Sequence, residues 1–162
     1  MPKYHPSVDQ SNHRYWLDFW SAYQAVVTIT NVSQDLALPD VVVSGLPGRI
    51  AITRVTAIFK YRVVDNTSGA QNAITLGGGT PAIQVRDDTP GTYTDAIDLI
   101  EDLFLCPGST IEGGDVLMGN TNLSAVVDGE DTYNFQLDDV LADGNNLILR
   151  DIQCGLRVEW RV

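Results

Sequence analysis

The chain has 162 residues, 44% of them hydrophobic and 19% charged, a composition that can bury a core and excludes wholesale disorder. Twenty-one acidic residues against ten basic ones leave a net charge of −11, which argues against a phosphate backbone or an anionic membrane surface as partner. No apolar run approaches the ~20 residues of a membrane span.

Residues 1–13, MPKYHPSVDQSNH, hold two prolines and many polar groups with nothing to pack, so they read as an arm that is ordered only on a partner. No apolar signal core occurs here, and no cleaved secretion signal is expected. The next stretch, RYWLDFWSAY, places Trp16, Phe19, Trp20 and Tyr23 at helical spacing, although Leu17 and Asp18 also allow an extended reading. Either the aromatics fold onto their own domain and cover an open end of its core, or they dock into a neighbouring subunit. The chain is divided accordingly into an arm with its aromatic segment, 1–23, and a domain, 24–162.

From Gln24 the period changes to two. Strands are predicted at Gln24–Thr30, Val41–Ser44 and Arg49–Val64. In the last of these, Ile50 and Ile52 are apolar at even positions, and Val55, Ala57, Phe59, Tyr61 and Val63 at odd ones. A phase slip within one strand would flip every later side chain, so a β-bulge or bend is expected near Thr53 and Arg54. Gln71–Leu76 and Pro81–Arg86 flank the glycine run 77–79, a strand turn rather than a phosphate loop, since no Lys-Ser/Thr and no helix follow it. Thr92–Phe104 is predicted to be the one helix, with Tyr93, Ala96, Ile97, Ile100, Leu103 and Phe104 on one stripe and strand as the alternative. Asp115–Gly119, Leu123–Val127, Thr132–Leu137, Asn146–Ile152 and Leu156–Val162 complete the strands. The last alternates cleanly and is expected inside a sheet.

Eight to ten short strands with turns every 8 to 12 residues give an all-β fold, a jelly-roll-like antiparallel β-sandwich with one short helix and an N-terminal arm. An immunoglobulin-type sandwich is the rival, but Cys106 to Cys154 encloses no Trp at the expected place.

Catalytic signatures are missing. Both histidines, His5 and His13, lie in the arm, and no G-x-S-x-G or H-E-x-x-H occurs. The doublets Asp87-Asp88 and Asp138-Asp139 do not make an acid–base pair, because neighbours on a strand point to opposite faces. The chain is therefore read as not an enzyme, without catalytic residues, cofactor or metal site. Calcium is the option weighed most closely, at Asp128, Glu130 and Asp131 in one turn and Asp143, Asn145 and Asn146 in another, though neither follows the EF-hand order. Acidic solvated turns explain both loops more simply. Seventeen of the 21 acids are Asp, a turn former, and a carboxylate-rich surface adapted to high salt is the sharper alternative. The two cysteines lack zinc spacing and read as buried free thiols, with a single disulfide as the alternative. The three glycosylation-type triplets at Asn31, Asn66 and Asn122 are taken as coincidence.

The polar arm MPKYHPSVDQSNH, the aromatic YWLDFW, and the strand run from Arg49 to Val162 resemble small jelly-roll proteins of virus particles, such as head decoration or minor capsid proteins of tailed viruses. The resemblance implies a homo-oligomer, often a trimer, on a capsid lattice. It would be located in the virion, assembled in the host cytoplasm, and partnered by the major capsid protein or other virion proteins rather than nucleic acid or membrane. Trp16, Phe19, Trp20 and Tyr23 would be the interface anchors. The second reading is a carbohydrate-binding β-sandwich module, lectin-like and calcium-assisted in some versions, with Tyr93, Tyr133, Asp131 and Asn134 as candidates. Of these, Tyr133 alternates with Phe135 and Leu137 and is expected in the core.

Overall fold

The computed structural model describes residues 14–65, 74–76, 82–88, 91–99, 111–142 and 147–161. Ten strands lie among them: β1 (Arg14–Trp20), β2 (Gln24–Ile29), β3 (Gln34–Val42), β4 (Ala51–Asp65), β5 (Ile74–Leu76), β6 (Ala82–Asp87), β7 (Thr94–Asp98), β8 (Ile111–Met118), β9 (Thr132–Ala142) and β10 (Leu147–Arg161). They form two five-stranded antiparallel sheets. In one, β1 and β2 share an edge of β10, which pairs on its other side with β4, and β4 with β8. In the other, the order is β3-β9-β6-β7, and β5 lies on the β6 side of β9.

Because β1 and β2 fill one position and β5 and β6 another, the ten strands occupy eight. The first position pairs with the last, β3 with β9, β4 with β8, and β6 with β7. This nesting is one long antiparallel hairpin rolled into two facing sheets, the jelly roll. The core is the space between them. It is filled by Val55, Ala57, Phe59 and Tyr61 of β4, Ile152, Cys154, Leu156, Val158 and Trp160 of β10, and Tyr133, Phe135 and Leu137 of β9. The expectation for the chain's last strand holds: β10 is interior and flanked on both sides.

The expected bulge is present. Arg54 pairs with Glu159 and Ile52 with Trp160, which leaves Thr53 as the extra residue. Its hydroxyl donates to the Glu159 carbonyl at 3.3 Å. Val55 and the half-buried Ile52 thereby both face inward, although three residues apart.

Four expectations are corrected. The helix at Thr92–Phe104 is instead, over its described part, strand β7. Ile83 pairs with Ile97 and Gln84 with Asp95, so Ala96 is bulged, and Ala96 and Ile97 are both buried. A bulge in so short a strand puts apolar residues at i, i+3 and i+4, which imitates a helix. Residues 14–20 are not part of an arm: they form β1, with Leu17 and Phe19 in the core, and the sandwich begins no later than Arg14. Leu123–Val127 is a turn in which the Val126 and Val127 amides donate to the Leu123 carbonyl. The two terminal strands are one, β10, irregular at Asp151, whose φ is 51°. The arm 1–13 with both histidines, the glycine turn, Cys106 and the 143–146 loop lie outside the described residues.

Charge is divided between the sheets. The strands of the β10 sheet carry seven basic residues, Arg14, Arg54, Lys60, Arg62, Arg150, Arg157 and Arg161, against six acidic ones, Asp18, Asp65, Glu112, Asp115, Asp151 and Glu159. Those of the β9 sheet carry Arg86 alone against Asp35, Asp40, Asp87, Asp95, Asp98, Asp138 and Asp139.

Candidate functional site

Strand period, not helical period, distributes the aromatics of β1. Leu17 and Phe19 point into the core, and Tyr15 on the same side stacks on Trp160 with ring centroids 6.2 Å apart. Trp16, Asp18 and Trp20 take the opposite, outer face, all half-buried. Phe19 thus leaves the set of four candidate anchors. Its ring is spent on its own core.

Trp20 lies flat on the sheet because its neighbour across the ladder is Gly155. A β-carbon at 155 would come within 2.6 Å of the indole Cε3 and Cζ3. The Lys60 ammonium sits 3.4 Å above the Trp20 ring, a cation–π contact that holds the indole in place. Asp18 is fixed by a two-pronged contact to Arg157, whose Nε and Nη2 donate at 2.7 and 2.9 Å. That hydrogen bond, with the Asp18 charge, raises the already high pKa of the guanidinium.

Ser21 then anchors the corner to β10. Its amide donates to the Cys154 carbonyl at 2.9 Å, its Oγ accepts from the Cys154 amide at 3.0 Å, and Gln153 Nε2 donates to the Ser21 carbonyl at 3.0 Å. Past this anchor the chain throws Tyr23 outward, 68% exposed. Of the four aromatics, then, Tyr23 is open, Trp16 and Trp20 are half-open on the outer face, and Phe19 is closed. Further apolar side chains are exposed on the two outer strands of this sheet, Val26 on β2 and Val116 and Met118 on β8.

The other candidates scatter. Tyr133 is buried, and its hydroxyl donates to the Gly129 carbonyl at 2.9 Å. Burial first, and the charges of Asp128, Asp87 and Asp131 after it, push its pKa up to about 12. The Arg86 guanidinium lies 4.5 Å over the Tyr93 ring, and Arg86 Nε donates to Asn134, which donates in turn to Asp40. Tyr93 and Asn134 therefore flank Arg86, whereas Tyr133 is in the core and unavailable to a sugar.

Asp131 meets Asp87 and Asp88 rather than its turn neighbours, with carboxylate oxygens within 4.8 Å of one another. Glu130 instead accepts from the Leu46 amide. Sequence reasoning did not pair Asp87 and Asp88 with Asp131, which are over 40 residues apart. Only the β6–β9 register joins them. The Cys154 thiol is free and buried in the core, where burial pushes its pKa up and keeps it protonated.

No protein-family model and no curated protein matches the chain. Solved structures with a loose likeness in fold include a protein of the infectious bursal disease virus Gt strain, at 10% identity and TM-score 0.45, over 99% of this chain and 42% of that one. The chain thus spans under half the length of that viral protein. FLHE is similar at 9% identity and TM-score 0.39, over 91% of this chain and 98% of that one. A carbohydrate-binding module from Cellvibrio mixtus lichenase 5A is similar at 11% identity and TM-score 0.27, over 81% and 97%.

Proposed function

We propose that this chain is a structural protein of a virus particle, a capsid decoration or minor capsid component that assembles with copies of itself and with a capsid lattice. The jelly roll is a fold on which capsid domains are built, among other roles. The observation that carries the reading is the placement of exposed apolar side chains: Tyr23, Val26, Val116 and Met118 border the two edges of one sheet. Edge strands offer unpaired backbone and are usually guarded by charge or proline. Here β3, an edge of the other sheet, has Pro39 in its middle and one exposed apolar side chain, Val42, while the β2 and β8 edges together show Val26, Val116 and Met118, with Asp115 beside the last two. The same sheet is the one whose strands are near charge balance, so a contact there brings together the least like charge in a protein of −11.

The arm, residues 1–13, reaches a neighbouring subunit in this reading. Since Leu17 and Phe19 belong to the core, a truncation that tests the arm must stop at residue 13. The test is the native mass of the full chain by light scattering. The expected result is a discrete multiple of 17.7 kDa, reduced by deleting 1–13 or by combining Tyr23→Ser with Met118→Ser, with the β circular-dichroism signal unchanged. A full chain that stays at 17.7 kDa at every concentration overturns the reading.

A further inference from the structure

Thr53 lines a pocket of about 350 Å³ together with Arg14, Arg54, Asn120, Asn122 and Glu159. One wall is firmly held. Asn122 Oδ1 accepts from the Val55 amide at 3.0 Å and the Ser124 amide at 3.1 Å, and its Nδ2 donates to the Thr53 carbonyl at 3.4 Å. The rest carries two guanidiniums, Arg14 and Arg54, against one carboxylate, Glu159. Arg14 lies directly opposite Arg161 in the β1–β10 ladder, so the two side chains share a face, an arrangement in which like charges repel. Arg54 sits one row away, across from Glu159.

In a chain with 21 acidic residues, Arg157 and Arg62 have carboxylate partners. Among the described residues, Arg14, Arg54 and Arg161 have no ion pair within 4.0 Å. Arg54 lies across the ladder from Glu159 and Arg161 two residues along from it, and the same carboxylate also acts on Arg157.

We infer that this pocket binds a carboxylate, held by the Arg14 and Arg54 guanidiniums. Their planar forks match a carboxylate in a two-pronged way, and the exposed Asn120 amide is placed for a hydroxyl or amide group beside it. The overall charge of −11 opposes an anion at long range. That field is screened over roughly 8 Å at physiological salt, so contact chemistry decides. The carboxylate can come from an acidic side chain of a second copy or from a free ligand.

The experiment titrates the full chain with sodium malonate against sodium chloride at matched ionic strength, following melting temperature and tryptophan fluorescence. Malonate is expected to raise the melting temperature beyond chloride. The Arg14→Ala/Arg54→Ala variant should lose at least about tenfold in affinity, the scale of hydrogen bonds to charged groups, with its circular dichroism unchanged. Glu159→Gln, which removes the competing carboxylate, should bind about two- to fivefold more tightly. Malonate that lowers the native mass assigns the site to a neighbour's acidic side chain. Malonate that binds without changing the mass assigns it to a free carboxylate. Identical responses to malonate and chloride, or a double variant that binds as wild type does, overturn the inference.

Discussion

Tyr133 is the residue where burial and charge act together most clearly. Its ring is in the core, its hydroxyl donates to the Gly129 carbonyl, and carboxylates of Asp87, Asp128 and Asp131 surround that end of the sandwich. With the pKa raised from 10.0 to about 12, the folded state keeps the phenol proton over a range in which the unfolded chain releases it. Stability from this group is therefore complete below about pH 10 and is lost as pH rises toward 12, at a slope of at most about 1.4 kcal/mol per pH unit. Tyr133→Phe should cost about 1 kcal/mol at neutral pH through the lost hydrogen bond, yet fall less steeply than wild type between pH 10 and 11.5 in denaturant melts. Parallel slopes for the two proteins would refute this account. The core position of Tyr133 was legible in its alternation with Phe135 and Leu137. The acids of the adjoining turn, Asp128 and Asp131, were legible too, but Asp87 was not, because it reaches Tyr133 only through the pairing of β6 with β9.

At the scale of strands, two bulges explain where the sequence pattern spoke clearly and where it misled. The Thr53 bulge lies in a 15-residue strand, with enough apolar positions on either side to expose a change of phase. The Ala96 bulge lies in a five-residue strand, where the break in period is most of the pattern, and the same spacing describes a helical stripe. The ladder with β6 makes the segment a strand, and its bulge packs directly against the end of β8, since a β-carbon on Gly119 would lie 2.2 Å from the Ala96 carbonyl oxygen. The aromatics of β1 were ambiguous for a related reason, since Trp16, Phe19 and Trp20 fit a helical face while Leu17 and Phe19 fit a strand. Deletion separates a bulge from a regular position. Removing Thr53 restores simple alternation from Ala51 to Val55 and should cost under about 2 kcal/mol, the loss of a few local hydrogen bonds. Removing Thr56 puts residues 51–55 out of phase with Ala57 and Phe59 and should abolish cooperative unfolding. Equal destabilisation of the two variants in urea melts would contradict the assigned register.

For the whole molecule, the excess of acid was plain in the composition, but its segregation was not, because strands of the two sheets alternate along the chain and only their pairing sorts the charges. The β9 sheet, with seven acidic residues and Arg86 alone on its strands, is the face that stays wet in the assembly proposed above. Its outer surface is a polar ladder: Gln136 donates to Gln84, and Gln84 to both Asp95 and Asp138. Crowded carboxylates on one sheet repel one another through water, and salt weakens that repulsion, since the screening length drops from roughly 30 Å at 0.01 M to 3 Å at 1 M. The melting temperature should therefore rise from low to molar sodium chloride, by about 2–4 °C for each kcal/mol of repulsion relieved. The rise should come from this sheet. Asp95→Asn with Asp98→Asn on its edge strand should raise the low-salt melting temperature and flatten the salt response. Asp18→Asn should lower it at low salt, because Asp18 is held against Arg157 and loses an attraction. A melting temperature flat in salt, or one that the β7 substitutions leave unchanged, would mean that the segregated charge has no part in stability.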